Sequence, residues 1–184
     1  MNEQSDALRM VALLNSLHVP DDDDQLADQR AGPWLAGWLG EGGDGWGTLK
    51  SGACDDLRTV REGVRELVAA KDGTRPVPSV VARATAVLRA MPMVIDLGDE
   101  LRPPRITGAG DPSPVGRAVT AAAAVYLAVH ATDEWSRVKV CAAPDCRWAF
   151  VDTSRNRSRR WCDMSDCGNR AKARTWRAGK PVVR

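Results

Sequence analysis

Four of the chain's five cysteines lie within one short window, residues 141–167, in the pattern C-x4-C, fifteen residues, C-x4-C. Two close pairs separated by a short loop are typical of a tetrahedral thiolate site, because each pair turns tightly enough to present two sulfurs to one ion. Pro144 and Asp145 in the first pair, and Gly168 after the second, are residues that favour tight turns. The candidate ligands are Cys141, Cys146, Cys162 and Cys167.

Two disulfides or four unrelated thiols are the alternative interpretations of these cysteines. No N-terminal segment combines a charged start with an uninterrupted apolar run, and the most apolar run, AVTAAAAVYLAVHA, is too short to span a bilayer. We therefore expect a cytoplasmic protein, in which cysteines are reduced and free to bind metal. Chance clustering of four cysteines out of five is a poor explanation. The pattern predicts one structural Zn²⁺, and four thiolates leave no open coordination position for chemistry.

The charge of the chain is divided unequally along its length. Residues 1–136 hold 13 Lys and Arg against 20 Asp and Glu, a net charge of −7. Residues 137–184 hold 13 Lys and Arg against 4 Asp, a net charge of +9. Such asymmetry indicates two modules with different surfaces, so we expect a domain boundary near residue 136. The basic module is too small to have much apolar core, and its folding should depend on the metal.

Helical periodicity runs through most of the acidic part, residues 1–136. Apolar residues recur at helical spacing in residues 5–18, in ACDDLRTVREGVRELVAAKDG and in SPVGRAVTAAAAVYLAVHATDEW. We also expect a short helix around WLAGWL and a helix that begins after Pro78 with Ser79 as its N-cap. MVIDLGDELRPPRITGAGDPSP predicts a short hairpin or an irregular crossing, since β-branched and apolar residues lie there beside Pro and Gly. The predicted fold is a mainly α domain with room for one small β-hairpin.

No group of residues in the acidic part has the spacing of a catalytic site. His18 and His130 lie far apart, without a serine, cysteine or carboxylate at a telling spacing, and Cys54 has no cysteine near it. We interpret all three as structural and expect no enzymatic activity. A small-molecule site stays open beside a Gly-rich loop that is flanked by Trp34, Trp38 and Trp46.

The residues around the four cysteines predict a small zinc finger. CRWAFV predicts a strand that leaves the first pair, DTSRNRSR a polar turn, and RWC a return to the second pair. From Cys167, CGNRAKARTWRAG predicts a helix that ends at Gly179. Knuckle, β-hairpin and helix in this order are typical of a treble-clef-like finger.

The segment at residues 141–174 resembles the CGNR zinc finger, whose namesake tetrad stands at residues 167–170. The resemblance includes an aromatic-D-x-S segment at residues 150–154 and RRWC before the third cysteine. Upstream, LNS, WLAGWL, LRTVREGVRELV and EWSRVKVC are similar, more loosely, to the ABATE domain that precedes this finger in bacterial proteins. The resemblance implies a stress-induced, DNA-binding transcription regulator. Asp163 and Ser16 depart mildly from the family pattern.

Basic residues crowd the predicted hairpin turn and the predicted helix. Arginine forks suit phosphate oxygens, and several such contacts give salt-dependent binding. At helical spacing Arg170, Arg174 and Arg177 share a face, and the helix could enter a major groove. Alternatively, Asn169 and Arg170 fix the knuckle, and part of the arginines neutralise the thiolates. The candidate nucleic-acid contacts are Arg155, Arg157, Arg159, Arg160, Asn169, Arg170, Lys172, Arg174 and Arg177, with Lys180 beyond them.

DNA is the partner that these residues favour, with the helical domain as a sensor or dimerisation module. Phosphate contacts do not distinguish DNA from RNA, so an RNA-binding module stays open, as does one that binds an acidic protein. A homodimer and an N-terminal enzyme or ligand-binding domain with an accessory finger also stay open. The basic module can instead dock on the chain's own acidic part. We expect no membrane partner.

Overall fold

The computed structural model describes residues 5–42, 46–100, 103–109 and 113–178. In these residues the chain forms helices α1 (Asp6–Leu14), α2 (Asp28–Leu39), α3 (Asp55–Ala70), α4 (Pro78–Ala90), α5 (Pro114–His130) and α6 (Asn169–Ala178). Three antiparallel hairpins pair β1 (Leu17–His18) with β2 (Asp23–Asp24), β3 (Met93–Asp96) with β4 (Arg105–Gly108), and β5 (Val138–Val140) with β6 (Ala149–Val151). A 3₁₀ helix spans Asp133–Ser136 and a π-helical turn spans Met164–Gly168.

The mainly α architecture with small hairpins and a C-terminal finger is confirmed. The predicted hairpin after α4 is β3–β4. The predicted end of the last helix at Gly179, and the basic residue Lys180, lie outside the described residues. Within the described ranges, no helix has the length and apolar character needed to cross a membrane.

Serine side chains begin two helices, and proline begins a third. Ser5 Oγ accepts a hydrogen bond from Leu8 N–H in α1, and Ser113 Oγ accepts one from Gly116 N–H in α5. α4 differs from the prediction, because it starts at Pro78 itself and lacks a side-chain cap. Proline suits the first turn of a helix, because the backbone N–H that it lacks would have no helical partner there.

The run of four aspartates forms part of a hairpin that turns back onto α3. α1 ends at Leu14, earlier than the periodicity of residues 5–18 predicts, because residues 17–18 pair with residues 23–24. The guanidinium of Arg61 in α3 then binds both carboxylate oxygens of Asp24, at 2.8 and 3.0 Å. Asp24 is thereby fixed to the helical core, whereas Asp21 and Asp22 are exposed.

The apolar core lies between α1, α3 and α5 and continues into the strands beside the cysteines. Leu14, Leu57 and Val119 are fully buried in it. Val138 of β5 and Ala149 of β6 lie C-terminal to the predicted boundary at residue 136, yet they are fully buried in the same core. The first strands of the finger therefore pack as one body with the helices, and an independent module beyond residue 136 stays a prediction.

β6 has a different partner from the one that the sequence predicts. Val151 pairs with Val138, so the strand that precedes the first cysteine pair completes the hairpin. The described segment 160–162 forms no strand and is tied to the first pair by one backbone hydrogen bond, from Ala142 N–H to Arg160 O. The first pair of cysteines consequently lies in the loop of the β5–β6 hairpin.

Candidate metal centre

The sulfur atoms of Cys141, Cys146, Cys162 and Cys167 all lie within 4.8 Å of one another. The Sγ–Sγ distance is 3.7 Å between Cys146 and Cys162 and 3.8 Å between Cys162 and Cys167. Four sulfurs that each lie about 2.3 Å from a tetrahedral Zn²⁺ are about 3.8 Å apart. The four side chains therefore fit a closed zinc site, in agreement with the spacing along the chain.

A tight turn in the β5–β6 loop presents the first two sulfurs. The N–H groups of Cys146 and Arg147 both donate to Ala143 O, at 3.0 and 3.2 Å. Arg147 has a φ of 53°, in the left-handed region that such a turn requires. Cys141 N–H donates to Trp148 O across the base of the loop at 2.8 Å. Backbone hydrogen bonds thus hold the first pair of cysteines in position.

The π-helical turn Met164–Gly168 presents the fourth sulfur and is capped by Asp163. The Asp163 carboxylate accepts hydrogen bonds from Ser165 N–H at 2.6 Å and Asp166 N–H at 3.4 Å. A carboxylate at this end also suits the positive end of the turn. The aspartate that departs from the family pattern therefore has a structural role here.

Asn169 and Gly168 complete the second knuckle. Asn169 Nδ2 donates to Ser165 O at 2.9 Å, which ties the start of α6 to the π-helical turn. A Cβ atom at Gly168 would lie 2.5 Å from Met164 Sδ and 3.2 Å from Trp161 Cδ1. A side chain at this position would therefore force the flexible end of Met164 to move. The Asn169 side chain, a candidate contact to nucleic acid, is used within the finger.

The surroundings of Cys146 and Cys162 oppose ionisation of their thiols, whereas those of Cys141 favour it. Burial raises the pKa of Cys146 to about 11, with neighbouring sulfurs adding to the effect, and burial and the same crowding raise the pKa of Cys162. Burial also opposes ionisation of Cys141, but backbone N–H groups of Cys162 and Ala143 outweigh it and lower its pKa. A bound Zn²⁺ deprotonates its thiol ligands outright, so metal uptake releases protons.

Arg170 lies directly against the metal centre, and Arg174 lies beside it. Arg170 Nη2 donates to Cys167 Sγ at 3.0 Å, and its guanidinium faces Asp166 at 3.4 Å and Asp145 at 3.7 Å. Arg174 Nη2 donates to Asp145 Oδ1 at 3.1 Å. A donor on a ligating sulfur orients it and offsets its charge. The two arginines therefore link α6 to the first knuckle, although each side chain is nearly half exposed.

Two predicted phosphate contacts, Arg157 and Arg159, already bond to other groups of the protein. Arg157, at a φ of 50°, donates from its guanidinium to Ser136 Oγ at 2.6 Å and to Asp133 Oδ2 at 3.1 Å. Arg159 Nη2 donates to Cys162 O at 2.6 Å. These bonds hold the loop between β6 and the third cysteine.

A buried ion pair that sequence analysis missed organises the same loop. Asp152 is fully buried and lies 3.2 Å from Lys139 Nζ, which in turn donates to the carbonyl oxygens of Arg157 and Arg159. Burial alone would raise the pKa of Asp152, but hydrogen bonds from Ser154, Arg159 N–H and Lys139 lower it to about 2. The D-x-S pattern was the available signal, because an aspartate before a serine favours this local turn.

The other four candidate contacts have exposed side chains. Among the described residues none of these four has an ion-pair or side-chain hydrogen-bond partner. One of them, Arg160, places its guanidinium 5.6 Å from the centre of the Trp161 ring. The four are Arg155, Arg160, Lys172 and Arg177.

Arg65 of α3 joins the helices to the first knuckle. Its side chain is fully buried, Nη1 donates to Arg147 O at 2.9 Å, and Nη2 donates to Leu14 O at the end of α1. Nε donates to Glu62 at 2.9 Å. Sequence analysis missed this residue. The signal was an arginine within the apolar stripe of α3, where a charged side chain must be buried with partners.

Asn15 and Glu66 also hold the finger against the helices. Asn15 Nδ2 donates to Ala149 O at 2.9 Å and its Oδ1 accepts from Ala149 N–H at 2.8 Å, so the side chain pairs with β6 as a strand would. Glu66 forms an ion pair with Arg147 and accepts from Val77 N–H at 2.8 Å. The segments LNS and LRTVREGVRELV thus supply the contacts to the finger.

The residues considered for catalysis or for a small-molecule site all have packing partners in the structure. The His18 ring packs edge-on against Trp148, with 5.6 Å between ring centroids, and bonds to Asp21. His130 packs against Trp135, and Cys54 is buried, which raises its pKa. The three N-terminal tryptophans pack against or within the core, where Trp34 stacks on Trp38 and Trp46 is buried.

Family models match both parts of the chain. The CGNR zinc finger matches residues 137–180, which contain all four sulfur ligands. ABATE, described as "Putative stress-induced transcription regulator", matches residues 9–143, more than half of the chain. The chain belongs to the ABATE family. In this ABATE protein the two matches overlap at residues 137–143, which include β5 and Cys141, the first cysteine of the first pair. No curated protein matches the chain.

The ABATE protein holds a structural Zn²⁺ in its C-terminal finger. The four sulfurs close the tetrahedron, so the ion supplies folding energy and has no position for a substrate. Arg170 donates to the ligating sulfur of Cys167, and Asp163 and Asn169 fix the turn that carries this cysteine.

Proposed function

We propose that this ABATE protein is a DNA-binding transcription regulator whose zinc finger makes the DNA contacts. The observation that carries the proposal is a set of exposed cations of the finger that have no ion pair among the described residues. Their charge is not consumed by the fold, and binding phosphates would release counterions from DNA. The set, called the free cations below, is Arg155, Arg160, Lys172 and Arg177.

Docking of the finger on the acidic part uses only a fraction of its positive charge. Arg147 pairs with Glu66, Arg157 with Asp133, and Lys139 lies 3.8 Å from Asp72. These three pairs and the excess of four thiolates over one Zn²⁺ leave a clear surplus in a segment with 13 Lys and Arg against 4 Asp. The surplus supports an external polyanion as the partner.

Arg170 and Arg174 are a second set of proposed contacts to phosphates. Their ion pairs with Asp145 are close to half exposed, and exposed pairs contribute only about 0–1 kcal/mol. A phosphate can therefore displace Asp145 at little cost, whereas the bond from Arg170 to Cys167 Sγ is retained for the metal centre.

The helical part is proposed to regulate the finger as a sensor or dimerisation module, and no catalytic step is assigned to it. Its support is the direct bonding of α3 to the first knuckle through Arg65 and Glu66. Displacement of α3 would move the turn that holds Cys141 and Cys146, so an effector has a physical route to the finger.

The test is binding of the zinc-loaded full chain to labelled duplex DNA over a range of salt concentrations. Lys172→Ala and Arg177→Ala should each weaken binding to all sequences and flatten the salt slope by about one unit. Arg83→Ala, which removes an exposed arginine of α4, is the matched control and should change neither. Fluorescence anisotropy reports both quantities. Undetectable binding at low salt with zinc fully bound would overturn the proposal.

A further inference from the structure

Two grooves on the surface of the finger meet at Trp161. One has a volume of 440 Å³ and is lined by Trp161, Lys172 and Trp176, with the backbone of Gly168 at its floor. The other also has a volume of 440 Å³ and is lined by Trp161, Arg159, Arg160 and Met164. Both grooves include Trp161 in their linings, and we refer to the two together as the track.

The track includes a large aromatic side chain that is mostly exposed. The Trp176 side chain is 64% exposed on α6, a helix that has no buried residue. Trp161 is partly buried and packs against the cluster that contains the cysteines. A large exposed aromatic side chain on a charged surface is typical of a binding contact.

Cations lie at the same aromatic rings. Lys172 shares the first groove with Trp176, at a spacing of four residues on one face of α6. Arg160 lies over the Trp161 ring at 5.6 Å. Aromatic rings alternating with cations match a strand of single-stranded nucleic acid, in which bases stack on rings and phosphates meet Lys or Arg. An apolar peptide would not use the cations, so the charge favours a polyanion with flat faces.

We propose that Trp161 and Trp176 form a stacking site for unpaired bases of single-stranded DNA, with Lys172 and Arg160 on the adjacent phosphates. The inference rests on the proposed DNA binding and deepens it. A duplex hides the faces of its bases in the helical stack, so only separated strands can use the rings. The finger would therefore use its stacking site only where the DNA strands are separated. Duplex DNA would be bound by the free cations alone.

The experiment compares one sequence in three forms: single-stranded DNA, duplex DNA and single-stranded RNA. Fluorescence anisotropy with the zinc-loaded full chain gives the dissociation constants at equal salt. Trp176→Ala should weaken binding of the single strand about 5- to 150-fold and leave duplex binding within about twofold. Trp176→Phe should restore most of the loss, because a phenyl ring still stacks. Leu127→Ala, which removes an exposed apolar side chain from α5, is the control.

Lys172→Ala should weaken binding of both DNA forms, which separates the phosphate contact from stacking. Unchanged single-strand affinity in Trp176→Ala overturns the stacking site, while duplex binding in the same samples leaves the proposed function standing. If the unaltered protein binds neither single-stranded nor duplex DNA, both proposals are overturned. Binding of the RNA alone overturns the assignment to DNA. Zinc content and the circular dichroism spectrum of each variant confirm that it is folded.

Discussion

Replacing Arg65 by alanine should destabilise the fold and loosen the zinc centre at the same time. The guanidinium is fully buried and donates to two carbonyl oxygens, Leu14 O at the end of α1 and Arg147 O in the first knuckle. One side chain therefore joins α1, α3 and the turn that presents Cys141 and Cys146.

The magnitude follows from the groups that Arg65→Ala leaves behind. Each of the two carbonyl oxygens loses its donor, and a buried acceptor without a partner costs about 1–3 kcal/mol. The bond to Glu62 adds little, since that carboxylate is 33% exposed. Burial lowers the pKa of Arg65, which shows that desolvation opposes its charge and offsets part of the gain. We expect the free energy of unfolding to fall by about 3–5 kcal/mol, as for one partner lost from a buried charged network.

Urea unfolding followed by circular dichroism measures the stability, and transfer of zinc to a coloured chelator measures the metal centre. Arg61→Ala is the matched control, because Arg61 is equally buried in α3 but bonds to Asp24 and Ser16 within the helical part. Both variants should lose stability. Only Arg65→Ala should release zinc faster under conditions in which both are folded. A loss below about 1 kcal/mol, or equal release rates in the two variants, would refute the reasoning.

The protein dialysed without added metal should retain about one Zn²⁺ per chain, and Cys54→Ser should not change that content, because Cys54 lies apart from the cluster in the core. In Cys162→Ser, limited proteolysis should begin after Val151 and not near residue 136. The reason is that β5 and β6 are buried in the helical core, which does not contain the four zinc ligands. Cleavage near residue 136 would contradict this prediction. Burial lowers the pKa of Lys71 from 10.5 to about 8. The unfolded chain therefore binds more protons than the folded one in this window, and stability should rise from pH 8 to 10.5. In Lys71→Met, the free energy of unfolding measured by urea titration should not show that rise. A pH profile unchanged from that of the original protein would contradict the prediction.

The zinc site could be predicted from the sequence because its geometry is local. Each pair of cysteines lies within a turn of six residues, and the turn residues beside them determine how the sulfurs point. The helices could be predicted for the same reason, since periodicity and serine caps act over a few residues. Ser79 shows the limit even of local rules, because Pro78 can begin a helix by itself.

The uses of the arginines were decided by the tertiary structure. Composition shows a surplus of positive charge, but it does not show that Arg157 bonds to Asp133 while Lys172 lies along an open groove. The pairing of β6 with β5, and its contact with Asn15 across 134 residues of chain, likewise depend on which elements meet in the core. The partners of these side chains are fixed by packing between segments that are distant in sequence, and spacing along the chain carries no information about that packing.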